Sequence, residues 1–304
     1  MGTVHGVYLK YVGLSALSLA GCWGLLKNSD GSKLPVAEAM QLVSRSLLTA
    51  GSDGSKGIGG SDTSDTDETL SFWWALSLAV LAYSAFLNAL IAVLFKVEKG
   101  MGILGKDRKT GQIPGWSYLV FFPFHIPTFL YTQIHSVVFK GKLVVNEDGT
   151  KTRQPIPVAT EVQPGWWVGG CHSDQLNKDW GGVIDLTVEF PESCINRTAA
   201  YLSLPAWDGV PARPEQLEEA AVFAFQASLS GGDVLVHCAH GRGRSTTVMC
   251  ACLVKVGLYK NWLEAFEQGI KPQRPVCKLN RRMRQALQEW QRLYVDGNHD
   301  KKGQ

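Results

Sequence analysis

Apolar positions are distributed along this chain in two ways. In the front half they form long unbroken runs; from about residue 154 they come in short clusters separated by polar positions. Leu70 to Phe95 carries no charged residue, and a helix needs about 20 such residues to cross a bilayer. The run is predicted to be transmembrane, with Trp73 and Trp74 suited to the headgroup belt. Val7 to Leu26 is a shorter run interrupted by Lys10, whose side chain reaches the interface if the run spans.

Between the runs, Lys27 to Thr69 is rich in Gly, Ser and Asp, a composition that cannot bury enough apolar surface to fold by itself. It is expected to be a flexible loop. Lys96, Lys99, Lys106, Arg108 and Lys109 follow the second run, and basic residues collect on the cytoplasmic side. Everything after Phe95 is therefore expected to be membrane-attached and to face the cytosol. Leu19-Ala20-Gly21-Cys22 offers an alternative for the first run, because it resembles the cleavage box of a bacterial lipoprotein signal, although a basic start is missing. Thr110 to Phe139 is again free of charge. Pro114, Pro123 and Pro127 are expected to break any regular helix there, and the segment is read as an aromatic stretch lying in the interface plane. A third crossing and a docked extension of the domain are the alternatives.

From Gln154 onward the pattern is that of an α/β domain. Val183 to Val188, Tyr201 to Leu204 and Asp233 to His237 read as strands. Pro214 to Leu229 reads as a helix with Pro in its first turn and Glu215, Glu218 and Glu219 near its positive end. Further helices are predicted over Gly243 to Val256, Asn261 to Gly269 and Lys278 to Tyr294. The 304 residues are 45% hydrophobic, enough for a core, and the net charge of +3 gives no argument for a nucleic-acid partner. Seven scattered cysteines make neither a disulfide framework nor a zinc pattern; no metal and no cofactor is expected.

The chemistry concentrates after the strand Asp233 to His237, where Cys238-Ala239-His240-Gly241-Arg242-Gly243-Arg244-Ser245 leads into an apolar helix. A strand, a glycine-containing loop and a helix make a phosphate site: loop N–H groups converge on the anion and the helix N-terminus adds favourable potential. Gly241 and Gly243 permit close approach. The same field favours a thiolate at Cys238 and makes it a nucleophile. Arg244 has the planar fork that holds two phosphate oxygens, and the Ser245 hydroxyl is placed to stabilise the sulfur when it leaves.

VHCAHGRGRS resembles the signature loop of the protein tyrosine phosphatase superfamily, H-C-x-x-G-x-x-R-S/T, over about residues 160 to 295, a dual-specificity phosphatase-sized stretch. The resemblance implies a central, mostly parallel sheet flanked by helices, here preceded by one or two transmembrane helices. It also implies a general acid about thirty residues upstream, which selects Asp208 in Leu204-Pro205-Ala206-Trp207-Asp208-Gly209 over Asp185 and Glu189. Ala-Trp replaces the Trp-Pro of the classical tyrosine phosphatases, which favours the dual-specificity class. His237 is expected to hydrogen-bond backbone near the cysteine. Ala239, His240, Gly241, Arg242 and Gly243 form the substrate-binding loop, and Lys271, Arg274, Lys278, Arg281, Arg282 and Arg284 offer a basic surface to anionic headgroups. The expected organisation is a membrane anchor over 1–109 (spans 7–26 and 70–95), an aromatic interfacial segment and linker over 110–153, a phosphatase domain over 154–296, and a tail over 297–304. The expected substrate is a phosphoprotein, with a phospholipid, or an inactive phosphate-binding scaffold, as alternatives.

Overall fold

A computed structural model describes residues 4–28, 62–138, 142–145, 151–154 and 156–298. The chain divides into two compact units, Tyr8–Val93 and the combination of Met1–Val7 with Leu94–Gln304. Most of the loop expected over 27–69 lies outside the described residues.

The first unit is built from helix α1 (Val4–Asn28) and helix α2 (Asp62–Val97), whose last residues pass into the second unit. Ser15 Oγ donates to the Ala85 carbonyl at 2.9 Å, and Trp74 Nε1 to the Leu25 carbonyl at 3.4 Å. Partner numbers fall along α2 as they rise along α1, so the pair is antiparallel. Tyr8–Lys27 and Phe72–Val97 are each long and apolar enough to cross a membrane, by length and composition. One correction applies: Asp62–Thr69 is helix rather than loop.

The second unit begins with residues that the sequence pattern assigns to the anchor. Glu98, in a left-handed conformation at φ 55°, ends α2, and turns lead to α3 (Gly115–Val120) and α4 (Phe122–Val138). The prolines do not prevent regular structure here, contrary to expectation. Pro114 is the residue before α3, Pro123 lies in the first turn of α4 where its missing N–H has no helical acceptor anyway, and α4 accommodates Pro127.

Strands β1 (Lys142–Val145) and β2 (Lys151–Gln154) pair antiparallel. The main sheet contains β3 (Ala159–Gln163), β4 (Trp166–Gly169), β5 (Gly182–Thr187), β6 (Tyr201–Ala206) and, after helix α5 (Pro214–Leu229), β7 (Val234–His237), in the order β3-β4-β7-β5-β6. Only β3 runs antiparallel to its neighbour, so the sheet is mostly parallel, as expected. Helix α6 (Arg244–Lys255) follows β7, and α7 (Arg281–Tyr294) closes the unit. The helix predicted over Asn261 to Gly269 is Trp262–Glu264 continued by a π-turn, Ala265–Ile270, and a last turn, Lys271–Gln273.

Alternation along β7 sorts its residues between two apolar layers. Val234 and Val236 join Leu217, Ala220 and Ala224 of α5 and Val248, Met249 and Leu253 of α6 in the larger layer, whereas Leu235 packs with Val183 and Trp180 in the smaller. A short strand buried on both faces has no reason to alternate with polar residues, which is why DVLVH reads as an almost continuous apolar run.

Candidate active site

Central strand β7 delivers its C-terminal end, His237, into register with Gly169 of β4 on one side and Asp185 of β5 on the other. Cys238 follows at the mouth of the crevice where open parallel sheets bind ligands. The chain then turns through Ala239 to Gly243 and enters α6 at Arg244. Gly241 makes the turn possible: its φ is +61°, and a Cβ there would stand 2.6 Å from the backbone of Gly169.

Cys238 is buried, and its Sγ lies 3.4 Å from Ser245 Oγ. Burial alone would raise the thiol's pKa. The Arg244 guanidinium, the Ser245 hydroxyl and the backbone N–H groups of Ser245 and Arg242 outweigh burial and hold the pKa below the ordinary thiol value. At Cys171 and Cys277 burial prevails instead, and the pKa rises to about 12 and about 11. Cys238 is thus set apart from these neighbours by its surroundings rather than by exposure.

Arg244 is also buried, and it is held from three sides. Its Nη2 meets Glu189 Oε1 at 2.6 Å, while Nη1 donates to Glu189 Oε2 at 3.2 Å and to the carbonyls of Leu186 and Ala206 at 3.0 and 2.6 Å. Burial alone would lower its pKa, but Glu189 and Asp208 raise it. Among the described residues its Nε has no partner, which leaves a buried donor beside the loop for an anion. Asp208 Oδ1 stands 3.5 Å from Arg244 Nη2, and its side chain is 44% exposed. The other two carboxylates considered from sequence are committed elsewhere: Glu189 to Arg244, and Asp185 to Lys106. Of the three, only Asp208 is open to solvent.

His237 departs from expectation. Its Nε2 meets a carboxylate, Glu192 Oε2, at 2.6 Å and lies 3.8 Å from Asp185 Oδ1, because neighbouring strand β5 places Asp185 directly beside it. Burial by itself would lower the imidazole pKa; Glu192 and Asp185 overcome that and bring it up to about 9. His237 is therefore a cation near neutral pH, immediately before Cys238. Asp185, Glu192 and His237 lie close enough together to suggest a metal site. The cation that pairs with Asp185, however, is the ammonium of Lys106.

The back of the loop rests on Arg274, a second correction. The sequence groups it with residues facing headgroups, but it is 2% exposed. Its Nε donates to the Gly241 carbonyl at 2.9 Å, and its Nη1 to Pro157 and Thr160 at 3.0 and 2.7 Å. Lys278 N donates to the Arg242 carbonyl at 2.8 Å. Ala239 accepts from Cys171 N at 3.2 Å, and the His240 ring sits 6.3 Å from that of Tyr131 on α4. All ten site residues predicted from sequence thus gather around one loop and its facing turn. Glu189, Glu192, Arg274 and Lys106 are the parts that sequence reasoning missed or misassigned. The one local signal was the charge of Glu189 between apolar neighbours, Val-Glu-Phe at 188–190; Lys106 sits in a charged run, Lys106-Asp107-Arg108-Lys109, that reads as solvated.

Residues 176–293 match the family model described as "Dual specificity phosphatase, catalytic domain". The chain carries a dual-specificity phosphatase-like domain. It is 34% identical over 138 residues to a dual specificity protein phosphatase 15 from Rattus norvegicus, covering 43% of this chain and 56% of that protein. The Homo sapiens protein of the same name is 33% identical over 136 residues, covering 42% and 44%. The chain thus spans about half the length of the curated relatives it matches. The crystal structure of a mouse putative dual specificity phosphatase complexed with zinc tungstate superposes with a TM-score of 0.43 at 24% identity, over 49% of this chain and 96% of that one. Helices α1 and α2 lie outside the matched residues.

Proposed function

We propose that this chain is a membrane-anchored, cysteine-dependent phosphatase of dual-specificity type that hydrolyses phosphate monoesters of phosphotyrosine, phosphoserine or phosphothreonine in proteins. The observation that carries the reading is the arrangement at Cys238: a thiol of lowered pKa, Ser245 Oγ 3.4 Å away, and a buried Arg244 with a free Nε, all at the N-terminus of α6. In the first step the Cys238 thiolate attacks phosphorus, the bond to the leaving oxygen breaks, and Asp208 gives that oxygen its proton. Water then attacks phosphorus, Asp208 takes a proton from it, and the S–P bond breaks with the sulfur electron pair returning to Cys238. Loose phosphoryl-transfer transition states need positioning and charge more than covalent help, and Arg244 with the loop N–H groups supplies both.

The membrane attachment rests on α1 and α2 and on the polarity of α3 and α4. There Ser117, His125 and Thr132 are the buried polar side chains, and Ser117 Oγ lies 3.2 Å from His125 Nε2. Leu119, Ile126, Phe129, Leu130 and Ile134 face outward, Leu119 at 78% exposure. Phe121 and Phe124 are buried with them, so it is the outer face that departs from a helix pair built for water, and that apolar face fits a pair lying in the bilayer interface. The same feature favours a second reading, a phospholipid substrate such as a phosphoinositide or a phosphatidylglycerophosphate-like lipid, because Tyr131 on α4 touches His240 of the catalytic loop.

Phosphate release from phosphopeptides and from a panel of phospholipids, with Cys238→Ser in parallel, separates these readings. Release from peptides that disappears in the variant supports the first, and release from lipids alone replaces it with the second. Equal, slow release by both proteins sinks the enzyme. Carbonate extraction that frees the protein from membranes would remove the anchor, and protease protection tests whether the catalytic domain faces the cytosol.

A further inference from the structure

The segment joining α2 to α3 lies ahead of the residues that match the family model, yet it reaches the active site at two points. At the first, the buried Lys106 ammonium donates to Asp185 Oδ2, to Thr187 Oγ1 at 2.8 Å, and to the carbonyls of Thr187 and Phe190 at 2.9 and 2.7 Å. Asp185 stands beside His237, the residue before Cys238. The turn from Thr187 to Phe190 carries Glu189, which holds Arg244. One ammonium thus ties the strand end that presents the thiol to the turn that orients the guanidinium. Gly111 and Gln112 extend the tie to the next turn: Glu192 N donates to the Gly111 carbonyl at 2.9 Å, and Gln112 Nε2 to the Glu192 carbonyl at 2.8 Å.

At the second point the segment grips the residue before Asp208. Trp207 is 1% exposed, its Nε1 donates to the Lys99 carbonyl at 2.8 Å, and its ring stacks on Phe95 with centroids 4.5 Å apart. Phe124 of α4 meets the same ring edge-on at 6.0 Å. From the other side, Asn280 Nδ2 donates to the Gly209 carbonyl at 2.9 Å. Asp208 thus stands between two fixed neighbours.

We propose that the stretch from Phe95 to Gln112 is a working part of the active site, in which Lys106 positions Cys238 and Arg244 through Asp185 and Glu189, and Phe95 at the end of α2 with Lys99 just after it positions Asp208 through Trp207. Its rate measurements rest on the phosphatase reading; its thiol measurement does not. A staple that served folding alone would not need a buried charge, whose desolvation often cancels what its ion pair contributes. A charge with four acceptors fixes a geometry that an apolar plug would leave loose.

The test uses the full chain in detergent micelles, with p-nitrophenyl phosphate and phenyl phosphate as substrates and the pH midpoint of iodoacetamide alkylation at Cys238, followed by mass spectrometry, as the thiol readout. Lys106→Met is expected to lower kcat about tenfold or more with little change in KM, the scale of a displaced catalytic group, and to raise the alkylation midpoint. Trp207→Phe keeps the ring and loses the Lys99 hydrogen bond. It is expected to slow phenyl phosphate, whose poor leaving group needs the acid, about fivefold more than p-nitrophenyl phosphate. If Lys106→Met does not fold, Lys106→Met with Asp185→Asn removes the orphaned carboxylate and takes over both readouts. Folded variants with wild-type kcat and alkylation midpoint overturn the inference, and so does a double variant that still fails to fold. A wild type that releases no phosphate while Lys106→Met shifts the midpoint would end the phosphatase reading and leave the role of Lys106 standing.

Discussion

Helices α4 and α7 are of similar length and belong to the same compact unit, yet their exposed faces differ in polarity. α7 buries Met283, Leu287 and Trp290 and turns Arg281, Arg282, Arg284 and Glu289 to solvent. α4 turns Ile126, Phe129, Leu130 and Ile134 outward and buries His125 and Thr132 together with Phe124. α7 is the arrangement water selects, since apolar area is removed from it at about 25 cal/mol per Å². On α4 the same effect acts in the other direction, against leaving that apolar face in water. Two helices with one backbone geometry thus present a charged face and an apolar face on one domain.

The candidate catalytic loop lies between β7 and α6, and α6 shares its apolar layer with α7. Cys238→Ser is expected to reduce phosphate release by roughly a thousandfold or more, from soluble and vesicle-presented substrates alike. A loss confined to one kind of substrate would place a second nucleophile at the lipid-facing side. Next in size is packing. Leu287→Ala is expected to destabilise the folded domain by about 2–5 kcal/mol in urea unfolding monitored in detergent micelles, while Ile126→Ala stays within about 0.5 kcal/mol. Equal losses would mean that α4 is packed against protein after all.

A smaller effect is expected from charge on the outward face. Leu119→Glu combined with Phe129→Glu should lower turnover of a vesicle-presented phosphoester about tenfold, while turnover of p-nitrophenyl phosphate stays within about twofold. An equal fall on both substrates would contradict the interfacial orientation. The mildest prediction concerns pH. The folded-state pKa of His237, about 9, lies above its ordinary value, so its contribution to stability is complete below about pH 6.5 and is lost as pH rises through about 9. Urea midpoints measured from pH 6.5 to 9.5 should fall across that window in the wild type. The slope should flatten in Glu192→Gln, which removes the nearest carboxylate.

Much of the site was legible because its chemistry is local. Cys238, Arg244 and Ser245 lie within eight positions, and the strand before them and the helix after them carry clear periodicities, so loop, dipole and nucleophile could be read together. Asp208 was reached through the resemblance. The carboxylate partners were harder. Val-Glu-Phe at 188–190 gives no indication that Glu189 faces an arginine fifty-five positions away, and a basic run around Arg274 looks like a solvated surface until the chain folds one of its members under Gly241. His237 was expected, from the resemblance, to bond backbone; the fold instead brings Glu192 against it, and the β5–β7 register sets Asp185 beside it.

The sequence by itself determined the catalytic loop, the mostly parallel sheet and the two long apolar helices, since each depends on residues close in the chain: a fixed-spacing loop, apolar runs of strand length, and runs long enough for a bilayer. Only the tertiary structure decided that Lys106 and Trp207 join the segment after α2 to the active site, that His237 is cationic, and that α4 turns its apolar side outward. Those depend on which distant charge or ring comes to rest beside which, and electrostatic and packing energies are set by distance in space, to which distance along the chain is no guide.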